Sequence, residues 1–414
     1  MKSYSTEKIR NLALVGHSAS GKTSVCEALL YKTGNLKRLG KVEDGNTVTD
    51  FDKEEISRGV SISTAIAPVE WRDFKINLID TPGYFDFSGE VYSSLRASEA
   101  ALVVLDAQNG IEVGAEKVLK YTENIELPRI IFVNKMDKEN VNFAKVVSDL
   151  HIAFGKKVIP FTLALGEGEN FKGIIDVLNK KAYEYDGKEV EIPEIRIEEV
   201  NHVYDTIVEV VAETDDELME KFFDGEEFSH EEFMKGVTSA LLSGSAVPLI
   251  CGSATTGVGI DMLLDIITDY MPAPNDERAK RGFRNEDDNV RKISVNEPFS
   301  AVVFKTIVDP FIGRISIFKV MSGKITKDTE IFKSTKDEVD KAAGLFFLRG
   351  KTQIETSEIV AGDIGAVSKL TLTETGDTIC DKQNKTLYKK IKYPKPNLYF
   401  AIEPKSKNDE DKIS

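Results

Sequence analysis

The chain has 414 residues, enough for about two or three domains, and its 41% hydrophobic content can fill ordinary globular cores. Its net charge of −15 argues against general binding to nucleic acid through phosphate neutralisation, although a local basic face stays open. No run of about eighteen apolar residues and no signal peptide is evident, so we expect no membrane association and a cytoplasmic location. Three scattered cysteines and four histidines offer little material for a metal centre or a histidine-based triad.

The first motif is GHSASGKT at residues 16–23, which fits the phosphate-binding pattern G-x-x-x-x-G-K-[ST] between an apolar strand and a helix. Backbone N–H groups at such a helix N-terminus favour a polyphosphate, and glycines without a Cβ allow its close approach. Lys22 is predicted to contact the outer phosphates, and the Thr23 hydroxyl to bind Mg²⁺. The predicted nucleotide contacts are His17, Ser18, Ala19, Ser20, Gly21, Lys22, Thr23 and Ser24.

A long polar segment, residues 34–66, follows this motif and shows no helical or strand pattern before Val60. Such a loop in a compact domain is usually functional or disordered. Its place before the next strand predicts a nucleotide-sensing segment, with a simple mobile loop as the alternative.

The second motif is DTPG at residues 80–83, which ends a predicted strand at 74–79 and fits D-x-x-G. Asp80 can hold Mg²⁺ through water. The Gly83 N–H can contact a γ-phosphate and reorient when that phosphate is lost. We therefore predict Asp80 as a metal ligand, and Gly83 and Lys22 as catalytic contacts.

Apolar runs at 100–107 and 129–133 alternate with helical patterns, which predicts a doubly wound sheet with ligands at the carboxyl ends of its strands. The second run leads into Asn134-Lys135-Met136-Asp137, which fits N-K-x-D. Asp137 can accept hydrogen bonds from the N1–H and the exocyclic amine of guanine, a pair of donors that adenine lacks. Asn134 can tie the loop to the base edge, and the Lys135 stem can cover the base. This motif argues against the alternative of a P-loop ATPase or kinase.

An insert at about 166–245 interrupts the alternation with a hairpin turning at Asp186-Gly187, followed by acidic helices. A solvated face is the simpler interpretation of those helices, and a protein-binding surface is the alternative. After a strand at 247–250, Ser253 and Ala254 match a loop whose backbone amides meet the guanine O6. This match is informative only through its position.

The predicted organisation is a nucleotide-binding domain at 1–275, a polar linker at 276–296 and an all-β domain at 297–396. Residues 397–414 open a strand and then stop, so we expect the start of a further domain and hence a fragment of a longer protein. The predicted fold class is an α/β P-loop domain with an α+β insert, followed by an all-β barrel.

These motifs, the insert and the trailing β-domain resemble the translational GTPases, and among them elongation factor G. The matching segments are RNLALVGHSASGKTS, RGVSIS, NLIDTPG, FVNKMD, ENFKGIID, DPFIGRIS, AGDIGAV and TGDTICD. The resemblance implies a monomeric, ribosome-associated translation factor that binds GTP and GDP with Mg²⁺ and hydrolyses GTP. It also implies that the ribosome is contacted mainly through later domains.

Three positions depart from that family's usual pattern. Tyr84 replaces a histidine that orients the attacking water, and a phenol with a pKa of about 10 is a poor base. Ser61 replaces a threonine that binds Mg²⁺ but keeps the hydroxyl, so it remains a predicted metal ligand. Ala19 replaces an aspartate associated with an accessory monovalent cation. The chain is therefore similar to a paralogous, elongation-factor-G-like branch with slow intrinsic turnover and Tyr84 as a catalytic position; a non-hydrolysing, GTP-dependent conformational switch is the alternative.

Overall fold

The computed structural model describes residues 1–276, 293–309, 313–327, 329–370, 373–395, 398–404 and 406. Up to residue 276 the strands are β1 (Ile9–Gly16), β2 (Ala65–Trp71), β3 (Phe74–Asp80), β4 (Ala100–Asp106), β5 (Arg129–Asn134), β6 (Val158–Pro160), β7 (Thr162–Leu165), β8 (Gly173–Asp176), β9 (Lys181–Glu184), β10 (Glu189–Val190) and β11 (Val247–Cys251). The α-helices are α1 (Lys22–Lys32), α2 (Lys53–Arg58), α3 (Ser88–Ala97), α4 (Val113–Asn124), α5 (Phe143–Phe154), α6 (Glu194–Ala212), α7 (Asp216–Asp224), α8 (His230–Ser243) and α9 (Ile260–Tyr270). The later strands are β12 (Ser300–Asp309), β13 (Gly313–Ser322), β14 (Lys324–Thr326), β15 (Glu330–Lys333), β16 (Glu338–Lys341), β17 (Ala343–Arg349), β18 (Thr352–Glu355), β19 (Glu358–Val360), β20 (Ile364–Ser368) and β21 (Thr378–Cys380).

A seven-stranded sheet in the order β2-β3-β1-β4-β5-β11-β6 forms the centre of the first domain. Its neighbouring strands are parallel except for β2 and β3, which are antiparallel. The strands β1, β4 and β5 are buried along their whole length, as expected where helices cover both faces of a sheet. Because these strands are parallel, Gly16, Asp106 and Asn134 end them at one edge of the sheet.

The predicted strand at 158–165 is in fact two short strands that belong to different sheets. β6 is an edge of the central sheet, whereas β7 begins an antiparallel sheet in the order β10-β9-β8-β7. Phe161 joins the two sheets: its N–H donates to Leu249 in β11, and its carbonyl accepts from Val177 just after β8. The inserted sheet therefore begins at Thr162 rather than at residue 166.

Residues 34–66 contain the short helix α2, although the sequence shows no persistent helical pattern before Val60. α2 begins with a capping box, in which the side chains of Asp52 and Glu55 each accept a hydrogen bond from the backbone N–H of the other residue. The buried Glu55 carboxylate also accepts from the N–H groups of Ile62 and Ser63, at 3.0 Å each. One side chain thus holds the helix and the turn that follows it together.

The second domain is an antiparallel eight-stranded sheet in the order β16-β15-β21-β12-β13-β20-β17-β18, with β14 and β19 forming a separate ribbon. This arrangement, after the α/β domain, confirms the predicted fold class. Residues 277–292, which make up most of the predicted linker, lie outside the described residues. Within the described ranges, no helix is both long and apolar enough to span a bilayer.

The two domains share a buried interface that is both apolar and charged. Its apolar cluster includes Ile66 and Ile79 from the first domain and Phe304 and Phe346 from the second. Beside it, the ammonium of the fully buried Lys75 donates to both carboxylate oxygens of Asp363, at 2.7 and 2.8 Å.

Further polar groups complete this interface. Asn77 donates to Asp363 at 2.9 Å and to Asn11 at 2.7 Å. The buried Lys319 of β13 pairs with Glu99 and donates to the Ala97 carbonyl at 3.0 Å. Burial lowers the pKa of Lys319 and raises that of Glu99, so each charge depends on its partner across the interface.

Replacing Lys75 with Met should destabilise the protein by about 3–5 kcal/mol, because it leaves a buried carboxylate without its counter-charge. The free energy of unfolding in urea measures this cost. Lys145→Met is the matched control, since Lys145 pairs with Asp149 at 2.7 Å on an exposed helix face. We expect this control to change stability by less than about 1 kcal/mol. Equal effects of the two substitutions would contradict the importance assigned to the interface pair.

Candidate functional site

Backbone conformation and close packing restrict two positions of the loop after β1 to glycine. The φ angles are +147° at Gly16 and +93° at Gly21. A Cβ on Gly16 would lie 2.4 Å from the Val104 carbonyl oxygen, and one on Gly21 would lie 2.3 Å from Asn134 Nδ2. The loop therefore packs tightly against β4 and against the loop that follows β5. Its N–H groups lie at the N-terminus of α1, where an anion is favoured.

Lys22 lies across this loop. Its ammonium donates to the carbonyl of His17 at 2.7 Å and to that of Gly16 at 3.4 Å. Burial lowers the pKa of Lys22 to about 8, although the carboxylates of Asp80 and Asp50 oppose this shift. The lysine is thus already held at the loop, in the place where the sequence motif predicts contact with outer phosphates.

Two predicted contacts, His17 and Ser20, can offer only backbone groups. The His17 ring turns toward α4, where its Nδ1 accepts from the Gly114 N–H at 3.3 Å, and it meets the Phe85 ring edge-on. The buried Ser20 hydroxyl donates to the His17 carbonyl at 3.0 Å. Both side chains are bonded within the protein and do not face the cleft that lies beside this loop.

Oxygen atoms that suit a hard cation gather beside the start of α1. The hydroxyls of Thr23 and Ser61 lie 3.1 Å apart, and the carboxylates of Asp50 and Asp80 are nearly fully buried nearby. Burial, reinforced by Asp50, raises the pKa of Asp80 to about 7. Burial also raises the pKa of Asp50, whereas hydrogen bonding with Ser61 and Thr23 opposes that rise. A divalent cation bound beside these two crowded carboxylates would stabilise their charged forms.

The donor set fits Mg²⁺ better than a metal that prefers nitrogen or sulphur ligands. Among the described residues, Asp80 Oδ1 is buried and has no hydrogen-bond partner, so one ligand atom is unused. No group of three or more His, Cys, Asp or Glu side chains suited to a metal occurs in the described part of the chain. The hydroxyls of Thr23 and Ser61 are therefore needed to complete this site.

Sequence reasoning missed Asp50. It is one of six carboxylates in residues 34–66, and no local motif distinguishes it from the others. Its role as a lining residue depends on how the whole segment folds back over α1, which is a tertiary property. The nearby capping box at Asp52 and Glu55 could have indicated an ordered turn here.

The last residue of β5 and the residue after it hold three other segments in place. The Asn134 amide donates to the Ser20 carbonyl at 3.1 Å and accepts from the Ala254 N–H at 3.0 Å. The next side chain, Lys135, donates to the Ala19 carbonyl at 2.8 Å and to Asp106 at 2.7 Å. Hydrogen bonds from Asn134 and Lys135 thus join the loop after β1, the end of β4 and the loop after β11.

At the far end of the same loop, Asp137 has a buried oxygen without a donor. Its Oδ1 makes no hydrogen bond to any residue that the structure describes, whereas its Oδ2 lies 3.9 Å from the Lys138 ammonium. A buried carboxylate oxygen without a donor is costly unless a ligand supplies one. The neighbouring Ser253 is fully buried, and its hydroxyl accepts from the Thr256 N–H at 3.2 Å, which orders the loop after β11.

A cleft of about 250 Å³ lies beside the loop after β1, and Lys135 is the residue of the Asn134 to Asp137 motif that lines it. One wall is the loop after β1, the other is the segment 34–66, and Gly83, Tyr84 and Lys135 also line it. The predicted contacts Asn134, Asp137, Ser253 and Ala254 are not among its lining residues. A Cβ on Gly83 would lie 2.5 Å from the Lys22 ammonium, so this glycine packs directly on the lysine. Tyr84 is 45% exposed at the mouth. The lining residues are Ser18, Ala19, Gly21, Lys22, Thr23, Ser24, Val42, Glu43, Asp50, Gly59, Val60, Ser61, Gly83, Tyr84 and Lys135.

Comparison with known proteins identifies relatives of both domains. The model of the elongation factor Tu GTP binding domain matches residues 7–273, and that of elongation factor G domain 2 matches residues 298–382. Elongation factor G from Thermotoga petrophila and that from Thermotoga maritima are each 38% identical over 415 residues, covering 98% of this chain and 60% of theirs. A crystal structure from Thermus thermophilus matches with a TM-score of 0.87 and 32% identity, covering 98% of this chain and 59% of that one. This chain thus spans about three fifths of the length of these relatives.

Proposed function

Because this chain belongs to the elongation factor Tu GTP-binding domain family, we propose that it binds GTP and GDP with Mg²⁺ and hydrolyses GTP as part of an elongation-factor-G-like translation factor. Its partner is the ribosome, its location is the cytoplasm, and it acts as a monomer. The observation that supports this proposal most strongly is that four separate loops meet at one cleft. These loops contribute Lys22, Ser61, Gly83 and Lys135 to the lining.

The cleft and the motif at residues 134–137 beside it suit different parts of a magnesium–guanine nucleotide. Lys22 and the N-terminus of α1 bind the phosphates, and Gly83 is close enough to the lysine to respond to the outermost one. The hydroxyls and carboxylates of Thr23, Ser61, Asp50 and Asp80 hold Mg²⁺, which, when bound, neutralises charge on the phosphate oxygens.

The residues after β5 and β11 recognise the guanine base. Asp137 accepts from the N1–H and the exocyclic amine through its two carboxylate oxygens, of which Oδ1 otherwise has no donor among the described residues. The Lys135 stem covers the base while its ammonium binds Ala19 and Asp106. The backbone amides around Ser253 and Ala254 meet the guanine O6. ATP is rejected because adenine cannot offer two donors to Asp137, so the P-loop ATPase alternative is not favoured.

Asp137→Asn should weaken GDP binding by about 100-fold or more, because an amide cannot accept two hydrogen bonds through the atoms that the carboxylate uses. The same variant should bind xanthosine diphosphate better than the parent does, since xanthine presents one donor and one acceptor at this edge. Competition against a fluorescent GDP measures both affinities. Asp149→Asn, on the exposed face of α5, is the control and should change neither. Retention of GDP affinity by Asp137→Asn would contradict the assigned guanine reader.

Hydrolysis is slow in this proposal because Tyr84 can position water but cannot act as an effective base. The purified chain should release phosphate from GTP far more slowly than about one per second over hours of incubation. Loss of one positioning group commonly costs on the order of 10²–10³ in rate, so Tyr84→His should accelerate release. Tyr84→Phe, which keeps the ring and removes the hydroxyl, is the matched control and should slow it further.

A parent rate above about one per second would contradict slow turnover. The full-length protein, assayed with and without ribosomes, distinguishes the remaining interpretations. Stimulation by ribosomes supports a translational GTPase. A parent without turnover even on ribosomes, with turnover created by Tyr84→His, would instead favour a non-hydrolysing switch.

A further inference from the structure

The hydroxyl of Thr49 binds the carboxylate that the proposed metal site depends on. Thr49 is 1% exposed, and its Oγ1 donates to Asp80 Oδ2 at 2.7 Å. Among the described residues, no hydrogen bond reaches the other oxygen, Oδ1, which is also buried. The hydroxyl therefore occupies one oxygen of Asp80 and leaves the other as the atom available to a cation.

Thr49 belongs to a stretch of residues 34–66 that is fixed from both domains. The Val48 N–H donates to the Glu27 carboxylate of α1 at 3.0 Å, and the Gly40 N–H donates to the same carboxylate at 3.2 Å. From the second domain, the turn between β17 and β18 packs on this stretch. A Cβ on Gly350 would lie 2.0 Å from the Val48 carbonyl oxygen, so the turn approaches as closely as glycine allows.

The residue next to Thr49 lines the cleft itself. Asp50 is buried and contributes its carboxylate to the lining together with Thr23 and Ser61. Two consecutive residues thus serve the same site in different ways. Asp50 brings a charged oxygen to the cleft, and Thr49 holds the carboxylate at the end of β3.

We propose that Thr49 is a positioning residue for the metal site: its hydroxyl fixes the orientation of Asp80, so that cation binding depends on the segment 34–66 being folded onto β3. This inference rests on the proposed binding of a magnesium–guanine nucleotide. Charge-assisted hydrogen bonds are among the stronger ones in proteins, and a carboxylate without this donor can rotate away from its productive orientation. Opening of the segment would then remove Asp50 and release Asp80 at the same time.

The test is the Mg²⁺ dependence of fluorescent GDP release from the chain. Thr49→Val keeps the shape and removes the donor, so it should raise the Mg²⁺ concentration that half-maximally slows release by about ten-fold. Thr49→Ser restores the donor and should stay within about two-fold of the parent. With Mg²⁺ removed by EDTA, all variants should release GDP at similar rates. Thr49→Ala serves as a second donor-free variant if the valine variant does not fold.

Thr47→Val is the matched control, because Thr47 lies two residues away, is also buried, and has a hydroxyl without a hydrogen bond among the described residues. It should leave the Mg²⁺ midpoint unchanged. An unchanged midpoint in both donor-free variants would overturn the inference while leaving the proposed function standing. The inference would also be overturned if the donor-free variants released GDP faster than the parent in EDTA by the factor seen with Mg²⁺. The effect of the substitution would then be structural and not a change in Mg²⁺ binding. A parent that retains no guanine nucleotide at any Mg²⁺ concentration would overturn the proposed function and this inference together.

Discussion

The geometry of the site depends on a side-chain amide that is bonded at both of its ends. Asn134 donates to the loop after β1 and accepts from the loop after β11, and the Gly21 backbone approaches it too closely for any side chain. Lys135 adds bonds to Ala19 and Asp106. A parallel sheet brings the ends of its strands to one edge, but it does not by itself fix how their loops meet. The hydrogen bonds of Asn134 and Lys135 do so.

The same edge holds two carboxylates whose burial is not fully compensated. Asp80 has a pKa raised to about 7, and one oxygen of Asp137 has no donor among the residues described. In the proposed function, Mg²⁺ would stabilise the charge of Asp80, and guanine would supply the missing donor to Asp137. The second domain is part of this arrangement, because Lys75 and Asp363 fix it against β3, the strand that ends at Asp80.

The sequence predicts which strand ends carry the candidate site where its residues follow one another along the chain. The loop at 16–23, the Asp80 and Gly83 pair and the Asn134 to Asp137 loop are local patterns at strand ends, and parallel topology brings such ends together. Residues that act through tertiary contacts were not predictable in this way. Asp50, Thr49 and Glu55 lie in a polar segment whose local pattern gives no sign of their burial. The division of 158–165 between two sheets was missed because both halves are apolar, so periodicity could not separate them.

The central claim is that these loops form a single pocket for a guanine nucleotide with magnesium. Calorimetric titration of the chain with GDP and, separately, with ADP at constant Mg²⁺ tests it most directly. The account predicts one GDP site with a dissociation constant in the roughly micromolar range or tighter, and no measurable heat with ADP. Binding of neither nucleotide, or of both with equal affinity, would contradict it.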